Sequence, residues 1–187
     1  MTGREINVIR TRVEAELEEL TVIKQRISKY LTLLERVRGR SEQASLLDVS
    51  DACLLLGAAL DDFYLCVERI FKMLATEVDE LLPKGESWHR DLLLQISREI
   101  PGIRPPVISQ ELAVELDELR RFRHLFRNIY GHSLQEERVK ELALKAVSLF
   151  ERIKEELSTF FERMLALSER VDYPGKPRKG PGKGPRL

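Results

Sequence analysis

Cysteine is nearly missing from this sequence, with only Cys53 and Cys66 among 187 residues. Both fall in one apolar helical pattern, where their separation corresponds to about 20 Å of straight helix. That is too far for a disulfide, so both read as buried packing residues, and with no further cysteine there is no thiolate zinc site. Histidine is equally scarce: His89, His124 and His132 are too scattered along the chain to define a metal site. Long apolar runs are absent as well, and none approaches the length of a membrane span. The opening Met1-Thr2-Gly3-Arg4-Glu5 lacks the apolar centre of a signal peptide, so a reducing cytoplasm is the expected location. Neither sign of charge is in excess, since 31 basic residues balance 31 acidic ones. Any affinity for nucleic acid therefore has to come from local patches rather than from net charge. No glycine-rich phosphate loop, His-Glu-x-x-His pair or nucleophile elbow occurs, and no cofactor is expected.

What the sequence does contain is helical periodicity. Ile6, Ile9, Val13, Leu17, Leu20, Ile23, Ile27, Leu31 and Leu34 step by threes and fours along a long first helix, with a stop expected at Arg38-Gly39-Arg40-Ser41. A second helix runs through Ala52, Leu56, Ala59, Phe63, Val67, Ile70, Leu74 and Val78, and is expected to end where Leu82-Pro83-Lys84-Gly85 brings Pro and Gly together. The two should form an antiparallel hairpin. A shorter third helix is predicted from Ser87 to Ile100, broken by Pro101-Gly102. Residues 103–108 contain two prolines and cannot be helical throughout. Ser109 is placed to cap a fourth helix, with Glu111 in its first turn and Leu112, Leu116, Leu119, Phe122, Phe126 and Ile129 facing inward. Gly131 suits the left-handed residue that would end it. A fifth long helix begins near Gln135 and uses Val139, Leu142, Ala146, Leu149, Ile153, Leu157, Phe160 and Met164. The expected fold is an all-α antiparallel bundle of about five helices over residues 1–171. Residues 172–187, basic and rich in Pro and Gly, are expected to form a disordered tail.

The fourth helix concentrates the chemistry. Arg120, Arg123 and Arg127 recur at spacings of three and four and form a cationic stripe suited to consecutive phosphates. A parallel line runs through Arg121, His124 and Asn128 towards His132. The competing explanation is a solvated basic face paired with Asp117, Glu118, Glu136 and Glu137, and for Arg120 and Arg121 it is the stronger one. Arg127 and His132 combine a fixed cation with an imidazole that titrates near neutrality, a pairing able to cleave RNA without a metal. An Arg-to-His spacing is weak evidence alone, since a histidine near a helix C-terminus often only complements the dipole. His89 beside Trp88 reads as structural, Asp61-Asp62 as a solvated face without a ligand role, and Tyr64 with Glu68 as a buried hydrogen bond.

Several ordered segments go further. Asp62-Phe63-Tyr64, Val67-Glu68-Arg69-Ile70-Phe71, Pro83-Lys84-Gly85-Glu86-Ser87-Trp88-His89, Ile103-Arg104-Pro105 and the run from Arg121-Phe122-Arg123-His124 to Tyr130 resemble the HepT-like ribonuclease toxin family, part of the wider HEPN group of helical domains. The resemblance spans roughly residues 5 to 170. It implies a homodimeric, metal-independent endoribonuclease whose partner is an MNT-type nucleotidyltransferase antitoxin. The family signature, Arg followed after a few residues by His and commonly by a polar neighbour, is matched by Arg127, Asn128 and His132. By resemblance His132 is the acid or base, Arg127 stabilises the phosphorane and Asn128 orients the substrate or the catalytic pair. Arg120, Arg123 and Tyr130 are the candidate substrate contacts.

Two departures accompany the match. The family's best-known branch carries, two residues after the His, a Tyr that its antitoxin modifies, and here that position is Leu134. Tyr130 precedes the His instead. His124 is the second candidate for the proton-transfer role. The alternative to an enzyme is a non-catalytic helical module that dimerises or holds a nucleotidyltransferase partner.

Overall fold

In a computed structural model that describes residues 1–39, 47–128 and 134–171, the chain is a bundle of five helices. They are α1 (Gly3–Arg38), α2 (Val49–Glu77), α3 (Trp88–Ile96), α4 (Gln110–Asn128) and α5 (Glu136–Val171). The described residues contain no strand, only one isolated bridge between Ile100 and Arg104. No helix among them is long and apolar enough to cross a membrane.

Local chemistry fixes where each helix starts. The Thr2 hydroxyl accepts from the Glu5 amide at 3.3 Å while the Glu5 carboxylate accepts from the Thr2 amide at 2.8 Å. Asp48 and Asp51 close the same reciprocal box ahead of α2, so two otherwise orphaned amides are satisfied at each start. Ser109 caps α4 as its sequence position suggests, its hydroxyl accepting from the Leu112 amide at 3.2 Å. Glu156 of α5 reaches back to take the Ser109 amide and hydroxyl, which ties the start of α4 to α5.

α2 is the central element and packs against all four other helices. Its sides bury Leu56, Leu60, Phe63, Val67, Ile70, Phe71 and Leu74 among the inward stripes of α1, α4 and α5. α1 and α2 do form an antiparallel hairpin, laced outside the core by Arg12 to Glu77, Arg69 to Glu16 and Arg26 to Asp62. α5 runs antiparallel to α1, with Lys24 paired to Glu151, Lys140 to Glu35 and Arg38 to Glu137. Cys53 and Cys66 are buried and free. Burial pushes both thiols up, Cys66 to about 12, which leaves them protonated and unreactive near neutrality.

Two helix ends fall short of the expected positions. α2 stops at Glu77, ahead of Pro83, because Glu80 adopts a left-handed φ of 53° and Asp79 turns inward. α3 ends at Ile96 rather than Ile100, because the Arg104 guanidinium takes the carbonyls of Gln95 at 3.0 Å and Arg98 at 2.9 Å. The same guanidinium forms a two-pronged pair with Asp79, at 2.5 and 2.8 Å, and donates to the Pro105 carbonyl. All five of its N–H donors are thereby used inside the protein. Gln95 completes the cluster by donating to Asp79 and to the Leu81 carbonyl.

Candidate functional site

α4 carries the candidate residues, and its neighbours decide which of its sides remains open. Along one side Glu115 pairs with Arg152 of α5, and Glu118 with Lys145 and Arg138. The inward side buries Leu112, Leu116, Leu119 and Phe122. Phe126, half-buried and stacked on Phe122, lies over Gly57 of α2, where an added Cβ would sit 2.7 Å from the Phe126 ring. Beside the remaining flank lies α3, but α3 is only nine residues long and packs along the first half of α4 alone. Past Arg121 that flank is exposed, and it carries His124, Arg127 and Asn128.

The arginines do not behave alike. Arg120 donates to Asp117 at 2.7 Å, and Arg121 shares the same carboxylate at 3.1 Å. Arg123 is drawn inward, its side chain only 12% exposed, with Nε 3.0 Å from Asp61 of α2. Neither atom of that contact achieves hydrogen-bond geometry. Burial accordingly raises the Asp61 carboxyl above the usual aspartate range, although Arg123 and Arg127 both pull it down. An ion pair at that distance ordinarily lowers a carboxylate, and here misalignment leaves desolvation dominant. Arg127 is exposed and has neither an ion pair nor a hydrogen bond from its side chain among the described residues.

One turn of helix brings Asn128 against His124. The amide donates to the His124 carbonyl at 2.8 Å, and the same nitrogen lies 3.5 Å from the ring Nε2. Arg127, Asn128 and His124 thus share one exposed helix end. Ile129, Tyr130, Gly131 and His132 lie outside the described residues, as does the tail at 172–187. Leu134 packs half-buried against the core.

Several expectations require correction. Asp61 is not part of a solvated face, since it lies half-buried beside Arg123, whereas Asp62 stays at the surface and pairs with Arg26. No hydrogen bond joins Glu68 to Tyr64, although the carboxylate helps burial to raise the phenol. The Glu68 carboxylate lies against Nδ1 of His89, which stacks on Trp88 with ring centroids 3.6 Å apart. Of the acids available to the arginine stripe only Asp117 is used, since Glu136 and Glu137 pair with Arg38 and Glu118 with α5. The carboxylate that sequence reasoning missed is Asp61, whose position opposite Arg123 follows from the antiparallel register of α2 and α4. No three His, Cys, Asp or Glu side chains among the described residues are grouped so as to hold a metal ion.

A family model described as HepT-like protein matches residues 55–164, more than half of the chain. No curated protein and no solved structure matches it.

Proposed function

The chain belongs to the HepT-like protein family, and from that premise we propose that it is an RNA-cleaving toxin, active as a homodimer in the cytoplasm and restrained by an MNT-type nucleotidyltransferase antitoxin. The proposed reaction draws its nucleophile from the substrate. The RNA 2′-hydroxyl attacks the adjacent phosphorus, the 5′-oxygen leaves, and a 2′,3′-cyclic phosphate remains. The protein has to move one proton from the 2′-hydroxyl, supply one to the 5′-oxygen, and stabilise the charge gathering on the phosphorane.

Arg127 stabilises that charge in this reading, and Asn128 orients the substrate or the neighbouring imidazole. His132, or His124 beside Asn128, transfers the proton. Two such sets meeting across a dimer axis would supply the second imidazole that acid–base cleavage needs. Arg120 and Arg123, each held by a carboxylate, provide positive field behind Arg127 rather than direct phosphate contacts, and Tyr130 is the further substrate contact. The observation that carries the reading is the state of Arg127: it is the arginine of its stripe that is exposed and, among the described residues, unpaired, one residue from the Asn128–His124 contact.

A specific observation favours the second reading, a non-catalytic docking module. Leu54 and Leu125 expose 44% and 52% of their surface at this end of the bundle, where a protein partner could cover them. RNA cleavage in EDTA separates the two. The native dimer should yield cyclic phosphate ends, Arg127→Ala should yield them about 10²–10³-fold more slowly, and the single variants His132→Ala and His124→Ala should identify the proton carrier. A folded dimer that cleaves no RNA would sink the enzyme and leave the docking module.

A further inference from the structure

The candidate residues occupy one end of a longer feature. Gln110, Val114, Asp117, Arg121, His124 and Asn128 follow one another at spacings of three and four, so they form a single line along α4 over about 27 Å. The first part of that line is the wall of a groove of about 310 Å³ between α3 and α4. We propose that this groove holds the RNA strand to one side of the scissile phosphate, a binding track that leads into the Arg127 site. Its ligand rests on the ribonuclease reading above.

Three features of the groove match a nucleic-acid strand. Arg90 and Arg98 from α3 and its C-terminal turn, with Arg121 from α4, stand around it. Arg90 and Arg98 are exposed, and their side chains make no ion pair or hydrogen bond among the described residues. Such unpaired guanidiniums carry no folding duty that a ligand phosphate would have to displace, and their planar fork suits phosphate oxygens. Asp117 supplies the carboxylate lining the groove, and its two oxygens already face Arg120 and Arg121. The charge left over is therefore positive in a chain whose formal net charge is zero. The rims are apolar: Leu94 is 38% and Val114 68% exposed, which gives an unstacked base a surface to lie on. A strand offers a phosphate at every nucleotide, so separated guanidiniums around the groove suit it better than they suit a single acidic side chain. Arg121, the last residue of α4 to line the groove, lies one turn before the exposed His124 on the same line.

The test measures binding apart from cleavage, using the whole chain and a 2′-O-methyl RNA of about 12 nucleotides, which lacks the attacking hydroxyl. Arg90→Gln/Arg98→Gln should weaken binding by about tenfold or more and flatten the log–log salt dependence by about 1.4, the loss of two phosphate contacts on a single strand. Val114→Glu, which places a negative charge on the exposed rim of the groove, should weaken it independently. Arg4→Gln/Arg163→Gln removes the same charge from α1 and α5, outside the groove, and should leave both quantities unchanged. Equal affinity and slope in the native protein and the Arg90/Arg98 variant would overturn the track even if the native protein cleaves RNA. A native protein that binds through these arginines yet cleaves no RNA would keep the track and sink the ribonuclease. Loss of binding to an acidic synthetic peptide, with RNA binding intact, would give the groove to a protein partner and overturn the proposal.

Discussion

Arg104, buried near the C-terminus of α2, uses all five of its N–H donors inside the protein, whereas Arg127, at the far end of α4, uses none among the described residues. Burying a guanidinium costs several kcal/mol, and that cost is met only where every donor and the opposing carboxylate are satisfied together. At Arg104 the result is a lock that fixes the end of α3, the inward turn of Asp79 and the approach to α4. At Arg127 the lack of a partner contributes nothing to folding and leaves the cation available to an incoming anion. A residue type seen in a sequence does not reveal its role. The partners the fold places around it do.

The sharpest way to break the comparison is to remove each side chain in turn. Arg104→Met should leave Asp79 buried and uncompensated, with the Arg98, Pro105 and Gln95 carbonyls losing their donor. Urea unfolding should show a loss of about 3–5 kcal/mol. Arg127→Ala should lower RNA cleavage by about 10²–10³-fold, the range for removing one positioned charge donor, with the unfolding midpoint unchanged. If Arg127→Ala unfolds the protein as Arg104→Met does, the exposed arginine has a structural partner after all and the comparison fails.

The contrast also marks how far the sequence could be read. Element order and core faces followed from periodicity, because a stripe such as Ile6 to Leu34 admits one helical face and little else. Ser109 could be recognised as a cap because its chemistry is local. Asp79 with Arg104, Asp61 with Arg123 and Glu68 with His89 could not, since each joins residues far apart in sequence and depends on a register that only packing sets. The early ends of α2 and α3 have the same origin: Pro83 and Pro101 mark where a helix must have stopped, while the Arg104 cluster decides where it does stop. At the candidate site the arginine stripe was legible as periodicity, and its division into paired Arg120 and Arg123 and an Arg127 unpaired among the described residues was not.

A smaller effect is expected where the two helices that frame the site touch. Gly57→Ala would place a Cβ 2.7 Å from the Phe126 ring. Alanine is favoured over glycine inside a helix by about 1 kcal/mol, but overpacking typically costs about 1–3 kcal/mol, so a net loss of about 1 kcal/mol is expected on thermal unfolding. Because Phe126 immediately precedes Arg127, displacing its ring should cost cleavage about tenfold, more than the stability change implies. Adding Phe126→Leu should make room for the methyl group and recover part of both. Parallel losses of stability and cleavage, without that recovery, would mean that the Gly57–Phe126 contact does not position the end of α4.

The smallest effect lies in the titration of Asp61, where buried and exposed arginines act on one carboxylate. Burial raises its pKa, and Arg123 and then Arg127 oppose the rise. A carboxyl raised on folding binds its proton more tightly in the native state. Its contribution to stability is therefore fully present below the usual aspartate value and is lost as pH increases through the raised one. Arg127→Ala removes one of the two opposing charges, so the Asp61 pKa should climb further and that limb of the stability curve should extend to higher pH. Carbon-detected NMR titration of the Asp61 carboxyl reads the shift directly, and Asp61→Asn should flatten the limb. The change from losing Arg127 should be small and should shrink in high salt, because an exposed cation is screened where the half-buried Arg123 is not. An Asp61 titration indifferent to Arg127 would place that guanidinium out of reach of the α2 face and leave only Arg123 acting on the carboxylate.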